Sequence, residues 1–134
     1  MRLRDPERRR RYDERKATDP ALAEALSTTL EEAAPFVRPW IPIVSLTKGL
    51  ELDTRLRMTE VVHQVLPGHP TGVLTGPNLA KEILGGAAAA SVLAMHDLAV
   101  AEALQELFCT ELFRVYTNDD LIGCELGGVF KNVI

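Results

Sequence analysis

The chain has 134 residues, a formal net charge of −4, 46% hydrophobic and 25% charged residues. That suffices for one domain burying about two thirds of its unfolded surface. It argues against a membrane-spanning chain, because the longest apolar run, Ala87 to Met95, has about half the ~20 residues a spanning helix needs. Cys109 and Cys124 form neither a C-x-x-C pair nor a disulfide framework, and the charged N-terminus has no apolar signal segment, so a reduced, cytoplasmic protein is expected.

The charge is unevenly placed. Residues 1 to 16 carry +4 and the remainder −8. The basic head interleaves Asp5, Glu7, Asp13 and Glu14 with its arginines and has one aromatic, Tyr12, which suits a solvated, ion-paired helix better than a nucleic-acid surface. Met1 to Pro20 therefore reads as a polar helix opening at Asp5-Pro6.

Ala21 to Val37 is helix-compatible, with Leu22, Ala25, Leu26, Thr29 and Leu30 on one side, and Pro35 and Pro39 end it. Ile41 to Leu46 is a continuous apolar run of the kind buried on both faces of a parallel sheet. Lys48-Gly49 follows at the strand's carboxyl end, where open α/β sheets keep their ligands. Leu56 to Leu66 is amphipathic, with Met58, Val61, Val62 and Val65 inward. Thr71 to Thr75 is a second strand, ending in Gly76-Pro77-Asn78, and Asn78 is placed to cap a short helix, Leu79 to Leu84. Gly85-Gly86 breaks that helix. Ala87 to Met95 is read as a strand despite its alanines, from its place between two helices. Asp97 caps a helix to Phe108 with Ala101, Leu104, Leu107 and Phe108 on its core face. The alternation predicts a parallel sheet with right-handed crossovers.

The last stretch, Phe113 to Ile134, reads as strand, polar cap and helix. Asn118 or Asp119 supplies the cap, and Ile122, Leu126, Val129 and Val133 form an apolar stripe. Opposite lie Cys124, Gly127, Gly128 and Lys131 at spacing i, i+3, i+4, i+7. Two glycines inside a helix cost roughly 1 kcal/mol each relative to alanine, so a backbone or a ligand is expected to approach that face.

Three stretches carry a resemblance: Ile43 to Glu51 (IVSLTKGLE), Leu66 to Glu82 with Gly76-Pro77-Asn78 and Ala80, and Glu125 to Val133 (ELGGVFKNV), with Phe113-Arg-Val-Tyr-Thr between them. In this order the chain, from about Pro39 onward, resembles the coenzyme-binding domain of the NAD(P)-dependent glycerol-3-phosphate dehydrogenases. The resemblance implies a partial Rossmann-like, doubly wound parallel sheet. Residues 1–38 would be a basic, helical remnant of the dinucleotide-binding half, with Arg4 near the adenosine ribose. Residues 39–134 would be the second half, ending in the first interdomain helix. No G-x-G-x-x-G occurs in the chain and the all-helical domain of the family is not reached, so the chain looks like a truncated member.

The resemblance further implies interconversion of dihydroxyacetone phosphate and sn-glycerol 3-phosphate with NAD or NADP, in glycerophospholipid precursor synthesis. Reducing a ketone by hydride transfer needs a proton donor at the carbonyl oxygen, and a partly desolvated lysine can supply it. By resemblance Lys131 is that acid. Lys48, Gly76, Asn78, Lys131 and Asn132 contact substrate, and Lys48 and Ala80 lie against the coenzyme. The alternative is a non-catalytic fragment or interaction module using an exposed sheet edge, with self-association. Other chemistries lack their patterns. His63, His69 and His96 have no zinc spacing, Ser45 lacks a nucleophile elbow, and Asp119-Asp120 is explained by capping.

Overall fold

In the computed structural model, which describes residues 20–51 and 53–131, the chain alternates helices and strands. It runs α1 (Pro20–Ala33), a 3-10 turn (Ala34–Phe36), β1 (Ile43–Ser45), α2 (Met58–Val65), β2 (Thr71–Thr75) and α3 (Ala80–Leu84). β3 (Ala89–Met95), α4 (Leu98–Phe108), β4 (Phe113–Asn118) and α5 (Leu121–Phe130) follow. The basic head with Arg4, and Asn132 and Val133, lie outside the described residues. No helix among the described residues is long and apolar enough to cross a membrane.

The four strands form one sheet in the order β1-β2-β3-β4. β1/β2 and β3/β4 pair in parallel, but β2/β3 is antiparallel, with Gly72 opposite Met95 and Thr75 opposite Val92. The uniformly parallel sheet expected from the alternation is thus corrected to a mixed one. A parallel return must span β2, about 17 Å for five residues. The five-residue α3 rises only about 7.5 Å. The Asn78 amide also ties the turn after β2 to Ala90 and Ser91 near the start of β3, so β3 sets out from the end where β2 stops.

Helices cover both faces, as a doubly wound sheet requires. Leu93, Met95 and Val115 pack with Ala101 of α4, joined by Val44, Leu74, Leu104 and Phe108. On the opposite face Val73 and Ala94 meet Leu121 and Cys124 of α5, while Val62 and Leu66 pack with Ile43 and with Leu30 of α1. Met58 and Val61 bury against Leu26. Each such side chain taken wholly from water contributes about 1.5–3 kcal/mol. β3, central and covered twice, shows why the Ala87–Met95 run is a strand: Leu93 and Met95 fill one side, and the small Ala94 lets α5 approach the other.

Several sequence expectations shift. β1 is only three residues long and stands at an edge of the sheet formed by the described residues, so Ile41 and Leu46 are exposed rather than buried. Leu107 is 77% exposed and leaves the core face of α4 to Ala101, Leu104 and Phe108. In α1, Ala25 and Thr29 are exposed while Leu30 is buried. In α5 the buried positions are Leu121, Glu125, Gly128 and Val129, while Ile122 faces solvent. The inward stripe is therefore rotated from the expected one and contains a carboxylate.

Candidate functional site

The carboxyl ends of β1 and β2 and the later turns of α5 meet at one corner. β1 ends at Ser45, which brings Lys48 beside the end of β2, where its Nζ donates to the Gly76 carbonyl oxygen at 2.7 Å. Gly76 is closely enclosed: a Cβ there would stand 2.7 Å from the Ala90 carbonyl oxygen and 2.8 Å from Ser91 Oγ. No side chain fits.

Asn78 does not cap α3, whose N-cap is Leu79. Its Nδ2 donates instead to Ala90 O at 2.8 Å and Ser91 Oγ at 2.5 Å. Both amide hydrogens are thereby used inside the fold, and the acceptor Oδ1 is what the residue has left to offer a ligand donor.

α5 starts from Asp120, whose carboxylate accepts from Gly123 N at 2.8 Å; Asn118 Oδ1 accepts from Asp120 N at 2.7 Å and shapes the preceding turn. The cap expected at Asn118 or Asp119 is therefore one or two residues further on. Gly128 explains one of the two glycines: its Cβ position lies 2.7 Å from Thr75 Oγ1 and 3.9 Å from Lys48 Cγ. Gly127 faces open space among the described residues. Lys131 follows Gly128 by three residues, a neighbouring position on the helix surface, and is exposed. Burial, and secondarily the Asp120 carboxylate, push the Cys124 thiol up from its ordinary value.

The structure thus joins Lys48, Gly76 and Gly128 at one corner and sets Lys131 one helical turn beyond it. Ala80, exposed at the first position of α3, stands two residues past Asn78. A cleft of about 370 Å³ opens beside Gly76 and Asn78, walled by Ile83, Val92 and Tyr116. Lys48, Ala80 and Lys131 are not among its lining residues.

Sequence patterns did not point to Thr75, Ser91 or Glu125. Glu125 is only 3% exposed. Its Oε1 accepts from Thr59 N at 2.9 Å, and its Oε2 accepts from Thr59 Oγ1 at 2.6 Å and Arg57 Nη1 at 3.1 Å. The available signal was a charged residue four positions from both Leu121 and Val129, inside an apolar helical stripe. A second cleft of about 590 Å³, at the opposite end of β2, is bordered by Arg57, His63, His69 and His96. Among the described residues no three ligating side chains are grouped to hold a metal ion.

Residues 22–101 match the sequence model of the NAD-dependent glycerol-3-phosphate dehydrogenase N-terminus. The chain is 63% identical over 112 residues to an NAD(P)+-type glycerol-3-phosphate dehydrogenase of Sphingopyxis alaskensis, covering 84% of this chain and 34% of the relative. It is 56% identical over 104 residues to one of Mycolicibacterium paratuberculosis, covering 78% and 31%. Among solved structures, glycerol-3-phosphate dehydrogenase of Coxiella burnetii superposes with a TM-score of 0.71 at 34% identity, covering 78% of this chain and 32% of that one. A Plasmodium falciparum glycerol-3-phosphate dehydrogenase, at 19% identity and a TM-score of 0.75 over 83% of this chain and 32% of its own, shares the fold. The chain spans about a third of the length of these relatives.

Proposed function

Since the chain belongs to the NAD-dependent glycerol-3-phosphate dehydrogenase family, to its N-terminal part, we propose that it serves the interconversion of dihydroxyacetone phosphate and sn-glycerol 3-phosphate with NAD(P)H. The observation that carries this reading is the corner itself. Motifs 28 residues apart are tied by the bond from Lys48 to Gly76, and α5 presses Gly128 against Thr75 and Lys48. Chain order alone would not bring these groups together unless the fold gathered them.

The coenzyme supplies the hydride that reaches the carbonyl carbon. Lys48 and Ala80 would hold it, and Ala80, exposed with a single methyl group, leaves that approach open. Lys131 Nζ gives its proton to the carbonyl oxygen as the hydride arrives and takes it back in the oxidation direction. Lys48 brings positive charge to the substrate, and Asn78 Oδ1 accepts from a substrate hydroxyl. Asn132, next to Lys131, supports the reacting end. Cys109 and Cys124 are free thiols, which supports a reducing, cytoplasmic setting for this chemistry.

Self-association belongs to the same reading. Phe36 (86% exposed), Trp40 (65%) and Leu46 (65%) cluster in sequence around β1, an outer strand of the described sheet, and exposed apolar groups at an unpaired edge favour pairing with another chain.

The test is NAD(P)H oxidation on addition of dihydroxyacetone phosphate, run beside Lys131→Ala. Turnover that vanishes in the variant, with an unchanged circular dichroism spectrum, supports the assignment. Equal turnover in the variant removes Lys131 from the chemistry, and no turnover from the folded parent chain leaves it a non-catalytic member.

A further inference from the structure

Glu125 is buried in the face of α5 that carries Gly128, and every bond it accepts comes from the start of α2. The N-cap side chain gives that start no cap. Arg57 occupies the N-cap position and its guanidinium has only donors, so it cannot accept from the first-turn amides. Glu60 closes part of the turn by accepting from Arg57 N at 2.9 Å, and pairs with Arg57 Nη2 at 2.9 Å. The Thr59 amide is satisfied only by Glu125, 66 residues away in sequence. The carboxylate of one helix therefore caps another, at the positive end of that helix, where an anion is favoured.

We propose that Glu125 is a positioning residue for Lys131, an inference that rests on the dehydrogenase reading above. A helix held only by apolar contacts can turn or slide at small cost. A carboxylate receiving three directed bonds from one point fixes both the rotation and the axial register of α5. Gly128 is three residues further on, where the same rotation brings its bare Cα face against Thr75 and Lys48. Lys131 follows after three more. α5 is thus pinned to α2 at its middle and to the strand ends in its last turn, and together these set where the lysine emerges. Glu125 touches no reacting group in this arrangement; its effect passes through the helix.

The experiment compares the parent chain with Glu125→Gln and Thr59→Val. Glutamine sets its NH2 group against Arg57 Nη1 or, with the amide turned over, against the Thr59 backbone amide, and both of these can only donate. Valine keeps the Thr59 amide bond and removes the hydroxyl, with the bond it donates to Glu125 and the longer one it accepts from Arg57 Nη1, which guards against a Gln variant that fails to fold. Two readouts are taken on chains with matched circular dichroism. In the NAD(P)H assay, Glu125→Gln lowers kcat by roughly 10- to 100-fold with KM for NAD(P)H within about twofold, as expected for a misplaced acid rather than lost binding. Thr59→Val falls between it and the parent. Unchanged kcat in both variants overturns the proposal. The second readout needs no turnover. The lysines are labelled by reductive ¹³C-methylation, with Lys48→Arg and Lys131→Arg to assign signals and Lys81 on α3 as a reference. A displaced Lys131 signal with Lys81 unmoved supports positioning. Coincident signals in parent and variants reduce Glu125 to a local stabiliser and overturn the proposal. A parent chain without turnover refutes the dehydrogenase reading of this chain, and the label still decides the role of Glu125.

Discussion

Adding one methyl group at Gly128 tests the corner directly. The Cβ of Gly128→Ala would stand 2.7 Å from Thr75 Oγ1 and 3.7 Å from Thr75 Cβ, so one of the two must move. Threonine carries two heavy atoms on Cβ, so only one of its three staggered positions is empty. Clearing the methyl group requires that particular rotamer or a shift of α5. Overpacking of this kind costs about 1–3 kcal/mol, while replacing a helical glycine by alanine returns about 1 kcal/mol. The adjacent Gly127→Ala meets open space and keeps only the gain. Because the helix contribution is common to both, the two variants should differ by about 1–3 kcal/mol. At roughly 3–5 °C per kcal/mol for a chain of this size, Gly127→Ala melts several degrees above Gly128→Ala. Thermal and urea unfolding followed by circular dichroism give the difference, and Thr75→Ala in the Gly128→Ala background should recover most of it as a positive coupling. If Gly128→Ala is as stable as Gly127→Ala, or Thr75→Ala recovers nothing, α5 does not lie against β2 as described.

Leu93→Ala empties the centre of the sheet, where the side chain is wholly buried, and should cost about 2–5 kcal/mol in urea unfolding. Asp97 accepts from the amides of Ala99 and Val100, so Asp97→Ala should lose about 1 kcal/mol, with Asp97→Asn keeping most of it. The Glu60 carboxyl is held below its ordinary value, first by the hydrogen bond from the Arg57 backbone amide; burial opposes this and the Arg57 guanidinium adds to it. A depressed carboxylate stabilises the fold at pH above its unfolded value and loses that contribution as pH falls through the folded one. Glu60→Gln should therefore flatten the acid limb of the stability curve and leave its slope near neutral pH unchanged, as pH-dependent urea midpoints would show.

The local code of this chain is strong wherever a signal is carried by neighbours. The glycine pair after Leu84, the Asp97 cap, the 3.6-residue spacing in Met58–Val65 and the β-type run of Thr71–Thr75 all depend on contacts a few residues apart, and each element lies where those residues place it. Lys48, Gly76 and Asn78 could be singled out for the same reason, as strand ends followed by turns. Three things depended on contacts that no local pattern encodes. The antiparallel turn into β3 is imposed by Asn78 reaching Ala90 and Ser91, although the asparagine looks like a helix cap in sequence. The rotation of α5 is set by Glu125 reaching Arg57 and Thr59, which turns Ile122 outward against its hydrophobicity. The exposure of Ile41 and Leu46 follows from the place of β1 at the edge of the described sheet. Periodicity says that a face is apolar. Which face of α5 turns inward is decided by the buried Glu125 carboxylate that must find its donors, because leaving it unpaired would cost several kcal/mol.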